Sequence, residues 1–257
     1  MNYEIIGNRE KAVAIIESSG NTSKDKKVAQ EMLKKSKHIK SVLAKISSRK
    51  GRLRKRQYKL ILGSKDTEVI HKEHGFLLKL DPQKVYFSPR ELTERQRLAS
   101  KIKKHEKILV MFSGVIPIIC AIKKKQPETI VYGIELNRIA HKYALENKEI
   151  NKLEGVYLIQ GDVKKKVPAL KTKFDRIIMP LPKTSGKYLY LAFKKIKKNG
   201  IIHYYTWGAK EARKKIFAKI KEEAKLHKKK IKILNLTKVS PYAPKVYKIR
   251  IDLKIVN

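Results

Sequence analysis

Residues 108–135 read ILVMFSGVIPIICAIKKKQPETIVYGIE, which is an apolar run, a turn with one glycine, a helical segment and a second apolar run. A strand, a helix and another strand in this order predict a right-handed crossover between parallel strands. The alternation continues and ends in two strand-like runs, 230–236 and 246–255, with no helical segment between them. The sequence therefore predicts an α/β fold, with a Rossmann-like sheet of seven strands whose last two form a hairpin at one edge.

The part of the chain upstream of this sheet has a different pattern. Apolar runs at 3–6 and 12–16 predict a strand pair, and apolar residues at helical spacing over about 23–49 predict one helix. Further strand-like runs lie around 59–62, 67–70 and 76–80. We therefore expect a small α+β module over residues 1–88 and a sheet domain over residues 89–257.

The charge balance points to a polyanionic partner. The 257 residues contain 63 Lys and Arg against 23 Asp and Glu, a net charge of +40, of which +13 falls in residues 1–100 and +27 in residues 101–257. A folded surface with such a field attracts polyanions, and nucleic acid is the commonest of them. A proteome rich in lysine, whose side chains merely solvate helix faces, is the alternative.

Cysteine content and hydropathy bound the cellular setting. The single cysteine, Cys120, excludes a disulfide framework and a multi-cysteine zinc site, and its apolar surroundings indicate a buried thiol. No apolar run reaches the roughly 18 residues that cross a bilayer, and residues 1–10 lack a signal-peptide pattern. We expect a soluble cytoplasmic protein without a membrane partner, and we assign no metal ligand.

Polar residues follow the predicted strands at the edge where open parallel sheets bind ligands. Gly114 follows the first strand, and Glu135 ends the second, 21 residues later. A carboxylate there can accept hydrogen bonds from both hydroxyls of a ribose, and Asp162, after the third strand, could bind an adenine amino group. Each residue also has a plain alternative: a flexible strand end, an exposed strand cap and an ordinary Gly-Asp turn.

A proline-rich turn follows the fourth strand. Pro180 and Pro182 flank Leu181, and neither proline can donate an amide hydrogen to a strand ladder. The chain must therefore form a stiff loop, which suits the binding of a flat base. A simple strand terminator is the alternative.

Several motifs in order resemble the archaeal and eukaryotic tRNA (guanine-N1) methyltransferase family, which modifies the guanine at tRNA position 37, just 3′ of the anticodon. The motifs are IHKEHG at 70–75, VYFSPR at 85–90 with Glu94-Arg95, LPK at 181–183, IHYY at 202–205 and YAP at 242–244. The resemblance extends from Tyr3 to the end of the chain. It implies a class I methyltransferase domain, S-adenosylmethionine as cofactor, tRNA as partner, an RNA-contacting role for the small module and no protein partner. We expect the family's separate N-terminal tRNA-docking domain to be missing.

The resemblance also implies roles for individual residues. It makes Glu94 the general base that takes the N1 proton of guanine, and Arg56 the cation that stabilises negative charge on O6. Guanine N1 is a weak acid and a poor nucleophile, so both groups are chemically appropriate; helix-capping charge is the alternative for Glu94. The expected cofactor residues are Phe112, Gly114, Glu135, Leu136, Asp162, Val163, Pro180, Leu181 and Pro182. The expected tRNA-binding residues are Arg90, Arg95, Lys183, Tyr205 and Tyr242.

Three positions depart from the family pattern. Pro180 replaces an asparagine, Val110 replaces an acid in the first strand, and Ile116 replaces a second glycine. Two alternative functions therefore stay open: aminocarboxypropyl transfer to the same tRNA position in wybutosine synthesis, and cofactor-free tRNA binding on a decayed methyltransferase fold. The motifs 88–90 and 181–183 favour the methyltransferase.

Overall fold

A computed structural model describes residues 3–47, 56–181, 185–209 and 211–256. These residues form two compact units. The first unit lies within residues 1–92, 114–117 and 137–152, and the second within 93–113, 118–136 and 153–257. The division after residue 88 that the sequence suggests stays a prediction.

The first unit contains a four-stranded sheet in the order β1-β2-β3-β4. The strands are β1 (Tyr3–Gly7), β2 (Ala12–Glu17), β3 (Ile39–Lys45) and β4 (Tyr58–Gly63). Helix α1 (Thr22–Lys35) connects the parallel strands β2 and β3, and the Asn21 side chain caps it by accepting from the Ser23 and Lys24 amides. Ala14, Ala29 and Val42 belong to the core between helix and sheet.

The single helix predicted over 23–49 is wrong in its second half. Helix α1 ends at Lys35, and the chain then forms β3, while 48–49 lie outside the described residues. Strand β3 lies between β2 and β4, and Val42, Leu43 and Ala44 are fully buried. A strand buried on both faces has a continuous apolar run, and its spacing cannot be told from that of a helix.

A two-stranded hairpin in the first unit is hydrogen-bonded to side chains of a helix. It comprises β5 (Val69–Glu73) and β6 (Phe76–Leu80), and α4 (Arg138–Ile150) packs beside β6. Asn147 Oδ1 accepts from the Lys79 amide over 2.6 Å, and Asn151 Oδ1 accepts from the Leu77 amide over 2.8 Å. Their amide groups also donate to the carbonyls of the same two residues. The two asparagines thus replace a neighbouring strand along β6.

The second unit contains the predicted seven-stranded sheet, in the order β12-β13-β11-β10-β7-β8-β9. The strands are β7 (Lys107–Met111), β8 (Ile130–Glu135), β9 (Val156–Gln160), β10 (Phe174–Met179), β11 (Ile196–Gly208), β12 (Ile231–Ala243) and β13 (Val246–Ile255). Five neighbouring strands of this sheet, β11, β10, β7, β8 and β9, are parallel to one another. Strand β13 is antiparallel to both β11 and β12. The predicted C-terminal hairpin at one edge is confirmed.

The helices of this part of the chain are α2 (Leu92–Ala99), α3 (Pro117–Lys125), α5 (Val163–Ala169), α6 (Leu189–Lys195) and α7 (Arg213–Leu226). Val167, Leu191 and Ile220, from α5, α6 and α7, share an apolar cluster with Ile177 and Ile202 of the sheet. Helix α5 was not predicted, because it is short, lysine-rich and contains a proline. Among the described residues, no helix has the length and apolar character needed to cross a membrane.

Candidate active site

Two neighbouring strands of the second unit present buried polar side chains on one face of the sheet. Because side chains alternate along a strand, His203 and Tyr205 lie on the face opposite to the core residue Ile202. The antiparallel register places His203 opposite Asp252 and Tyr205 opposite Arg250. All four polar side chains are at most 3% exposed. The pairing of β11 with β13 therefore builds a polar cluster inside the unit.

Glu94 of α2 joins this cluster and is 5% exposed. Its Oε1 accepts a hydrogen bond from Tyr205 Oη over 2.6 Å and another from Arg250 Nη1. Its Oε2 is buried and has no hydrogen-bond partner among the described residues. The two oxygens of this carboxylate thus differ: one is held by two donors, and the other is available to accept a proton.

The cluster continues from Arg250 as a chain of hydrogen bonds. Arg250 Nε donates to Asp252 Oδ1 over 2.8 Å, and His203 Nδ1 lies 2.7 Å from the same oxygen. His203 Nε2 lies 2.7 Å from Arg176 Nη1, and Arg176 pairs with both oxygens of Glu106 at 2.7 Å. A guanidinium only donates, so His203 Nε2 accepts and the ring proton is on Nδ1, facing Asp252.

The charge states in the chain follow from burial and partners. Burial lowers the pKa of His203 to about 4, and Arg176 and Arg250 add to this against the opposing effect of Asp252. Burial opposes ionisation of Asp252, but His203 and Arg250 lower its pKa to about 2. Burial and Glu94 raise the pKa of Tyr205 well above its usual value. At neutral pH the cluster therefore holds a neutral imidazole and a neutral phenol beside an ionised Asp252.

Several of the predicted cofactor residues lie at the carboxyl edge of the parallel strands in the second unit. The register pairs Glu135 with Gln160, and the Gly161 amide donates to the Glu135 carbonyl over 2.8 Å. Phe112, just after β7, contacts Tyr188 edge-to-face with ring centroids 5.2 Å apart. A carboxylate at the strand ends and a half-buried aromatic ring on the same edge fit a nucleoside ligand.

Three further predicted cofactor residues lie on this edge. The Leu136 carbonyl accepts from Gln160 Nε2 over 3.3 Å. Asp162 caps α5 and accepts from the Lys164 amide over 3.0 Å, and Val163 is buried at the start of that helix. Asp162 thus has a structural role as the cap of α5. This role fits the alternative given for it above, an ordinary Gly-Asp turn.

The proline turn is described in part. Pro180 and Leu181 follow β10 and are half-buried, whereas Pro182 and Lys183 lie outside the described residues. Pro180 lies directly after β10, a central parallel strand. Its role stays a prediction.

Three predicted site residues belong to the first unit. Arg56 is half-buried, and its Nε is buried without a hydrogen-bond partner among the described residues. The Arg90 side chain is 53% exposed, with Nε 3.4 Å from Glu4 Oε1. Gly114 has a φ of 57°, and no described heavy atom lies within 4 Å of the place a Cβ would take. The roles assigned to these three residues also stay predictions.

The predicted tRNA-binding residues of the second unit differ in exposure. Tyr242 is 65% exposed and stacks on Trp207 with centroids 4.2 Å apart. Arg95 and Tyr205 are buried, and the Tyr205 hydroxyl is used by Glu94. Of these three residues, Tyr242 is therefore the one whose ring lies at the surface.

Comparison with protein families shows which family the chain belongs to. The TRM5/TYW2 methyltransferase domain matches residues 69–234, which is more than half of the chain. The chain belongs to the TRM5/TYW2 methyltransferase family. The predicted class I methyltransferase sheet is thereby confirmed, and the match includes Glu94 and the strand-end residues of the cofactor edge.

Individual relatives cover nearly the whole chain. The tRNA (guanine(37)-N(1))-methyltransferase Trm5b of Pyrococcus abyssi is 36% identical over 99% of this chain and 74% of its own length. Its crystal structure superposes with a TM-score of 0.88 at 35% identity, covering 100% of this chain and 76% of that one.

Other relatives carry a different transferase name. A tRNA(Phe) (4-demethylwyosine(37)-C(7)) aminocarboxypropyltransferase of Methanocaldococcus jannaschii is 32% identical over 88% of this chain and 89% of its own length. The crystal structure of M. jannaschii TYW2 in complex with AdoMet has a TM-score of 0.76 at 27% identity, and each chain is covered completely.

The positions at which this TRM5/TYW2 member departs from the expected motif have clear structural settings. Val110 is fully buried in β7. Ile116 has a φ of 63°, a left-handed conformation that glycine adopts freely and a β-branched residue rarely does. Phe112 and Gly114 in the same turn also have positive φ values. The turn therefore keeps a backbone conformation typical of glycine although Ile116 is not glycine.

Sequence reasoning missed Arg250, Asp252, Arg176 and Glu106 as members of the cluster around Glu94. A signal was present in β13, where Arg250 and Asp252 alternate with Ile249, Ile251 and Leu253. Charged residues at a period of two within an apolar strand indicate a buried polar face. The five motifs that carry the family resemblance lie outside this strand.

Proposed function

We propose that the chain transfers the methyl group of S-adenosylmethionine to N1 of the guanine at position 37 of tRNA. The observation that carries this proposal is the carboxylate of Glu94, which is buried, held at Oε1 by Tyr205 and Arg250, and left without a described partner at Oε2. The names of the Trm5b relatives support the substrate and the acceptor atom.

The chemistry requires a base at this place. Guanine N1 carries a proton near neutral pH, so it must lose the proton to become a nucleophile. Glu94 accepts that proton at Oε2, N1 bonds to the methyl carbon, and the bond from sulfur to methyl breaks. S-adenosylmethionine, when bound, supplies the methyl group on a positively charged sulfur. Arg56, assigned by resemblance, is proposed to stabilise the negative charge on guanine O6.

The cofactor edge fits this donor. Glu135 at the end of β8 is proposed to accept hydrogen bonds from the ribose, and Phe112 and Leu136 to line the base. Leu181, after β10, is proposed to border the methyl donor. A cytoplasmic location is proposed as well, in agreement with a chain whose single cysteine, Cys120, is buried.

Aminocarboxypropyl transfer is the second candidate, because a relative with that name covers 88% of this chain. The two reactions use different parts of the same cofactor and different acceptor bases: the Trm5b relative is named for N1 of guanine, and the aminocarboxypropyl relative for C7 of 4-demethylwyosine. Nucleoside analysis therefore separates them.

The test is a transfer assay on a tRNA transcript that carries guanine at position 37, with a transcript carrying adenine there as control. We expect 1-methylguanosine in the digested product and none with the control transcript. In a parallel assay on tRNA that carries 4-demethylwyosine at position 37, an aminocarboxypropyl nucleoside would support the second candidate. Binding of tRNA without transfer to either acceptor base would favour a cofactor-free binding protein and contradict the proposal.

A further inference from the structure

We infer that Arg250 is a positioning residue for the reaction: with Tyr205 it holds Glu94 Oε1, and so makes Oε2 the oxygen that takes the guanine N1 proton. This inference rests on the proposed function. It concerns a residue 156 positions from Glu94 in sequence, in a strand that contains none of the five motifs that carry the family resemblance.

The hydrogen-bond arrangement distinguishes the two oxygens. Oε1 accepts from a phenol and from a guanidinium, and both donors are 1% exposed. Strong donors occupy the lone pairs of Oε1, which leaves proton acceptance to the other oxygen. Oε2 is buried and has no described partner. A carboxylate held in this way has one fixed orientation and one available acceptor.

Arg250 is itself fixed on the sheet. Its Nε donates to Asp252 Oδ1 over 2.8 Å, and its Nη2 lies 3.4 Å from Asp252 Oδ2 and 3.3 Å from Thr237 Oγ1. These contacts use one side of the guanidinium and leave Nη1 for Glu94. The position of the base is thus set by strand β13 through a planar, rigid group.

Arg250 also supplies the charge that a buried carboxylate needs. A carboxylate removed from water without a cation becomes protonated. The described titratable groups in contact with Glu94 are Tyr205 and Arg250, and Lys248 lies over the Tyr205 ring with Nζ 5.1 Å from its centroid. Of the two contacts, Arg250 is the cationic one, and its positive charge lies against the buried carboxylate.

The experiment measures single-turnover methyl transfer from about pH 6 to about pH 9, at saturating tRNA and S-adenosylmethionine, for the parent, Arg250→Met and Arg250→Lys. We expect Arg250→Met to lower the rate at neutral pH by about 10²-fold or more, with partial recovery as the pH rises. Arg250→Lys, which keeps the charge, should recover part of the loss. The affinity for tRNA should change little in both variants.

A matched control separates positioning from stability. Lys123→Met alters another buried cationic side chain of the second unit, whose described hydrogen bonds go to the Pro127 and Thr129 carbonyls. We expect it to leave the shape of the pH profile unchanged. Thermal unfolding of every variant shows how much folded protein each rate represents.

Several outcomes would overturn the inference. One is an Arg250→Met rate that is reduced equally at every pH, and another is the same pH shift in Lys123→Met. If Arg250→Met does not fold, Tyr205→Phe decides, since it removes one donor and keeps the ion pair. Its rate should fall about 3- to 10-fold, and an unchanged rate would contradict the inference. A parent without transfer would instead contradict the proposed function itself.

Discussion

The two carboxylate oxygens of Glu94 differ in their hydrogen bonds. Oε1 accepts from Tyr205 and Arg250, whereas Oε2 has no partner among the described residues. At the scale of one residue, this asymmetry lets a buried carboxylate be both well oriented and reactive. Glu135 illustrates a different use of a carboxylate, at the open end of a strand. The two acids therefore have separable predicted effects, one on the rate and one on cofactor binding.

Glu94→Gln is expected to lower methyl transfer by about 10²-fold or more, the usual scale for the loss of a general base. The amide keeps the shape of the side chain but cannot take the guanine proton. Single-turnover methylation and filter binding of the same tRNA measure the two effects. A loss of tRNA affinity in step with the rate would assign Glu94 to docking or folding.

Glu135→Ala is expected to weaken S-adenosylmethionine binding by about 1.5 to 3 kcal/mol, the range for a hydrogen bond to a charged group. Calorimetric titration of the cofactor measures this difference. Glu222→Ala, on the exposed part of helix α7, serves as the control and should leave the affinity unchanged. An unchanged dissociation constant for Glu135→Ala would mean that the cofactor binds elsewhere.

At the scale of elements, the pairing of β11 with β13 brings together groups that no single strand contains. His203 and Asp252 face each other across this pair, with Nδ1 and Oδ1 2.7 Å apart. The imidazole is buried and neutral, so folding depends on its remaining neutral. The pair therefore makes the stability of the second unit sensitive to pH.

Acidification is expected to destabilise the second unit before its carboxylates titrate. The pKa of His203 is lowered to about 4, below the ordinary value of 6.5, so the unfolded state binds the proton first as the pH falls. The free energy of unfolding contains this contribution in full above about pH 6.5. It falls by about 2 to 3 kcal/mol by about pH 4.5. Asp252, with its pKa lowered to about 2, adds a further loss below about pH 4.

Urea unfolding followed by the fluorescence of Trp207, the single tryptophan of the chain, measures this effect within the second unit. His203→Gln should be less stable than the parent at neutral pH and should lack most of the slope between about pH 6.5 and about pH 4.5. An equal slope in the parent and the variant would show that other groups cause the acid sensitivity.

At the scale of the whole molecule, a net charge of +40 is carried by both parts of the chain. Binding to tRNA must then release counterions from the phosphates, and the affinity depends on salt. We expect the affinity to fall by about 10³-fold or more between about 50 mM and about 200 mM salt if six or more phosphates are contacted. Filter binding at several salt concentrations measures the slope, and a nearly constant affinity would contradict the electrostatic argument.

Much of the fold follows from local periodicity. The alternation of apolar runs and helical segments predicted the seven strands and the terminal hairpin, because the period of two and the helical period are properties of short segments. The same reasoning failed at β3, because burial on both faces removes the alternation of apolar and polar residues. It also failed at α5, because three consecutive lysines and Pro168 leave this short helix without an apolar pattern typical of helices.

The candidate site divides in a similar way between sequence and tertiary structure. The family resemblance pointed to Glu94, and the positions of Glu135 and Asp162 at the ends of predicted strands pointed to the cofactor edge. The hydrogen bonds of Arg250 to Glu94 and of His203 to Asp252 join residues 156 and 49 positions apart. Only the pairing of strands and its register bring such residues together, because register depends on packing across the sheet and not on the order of residues within one strand.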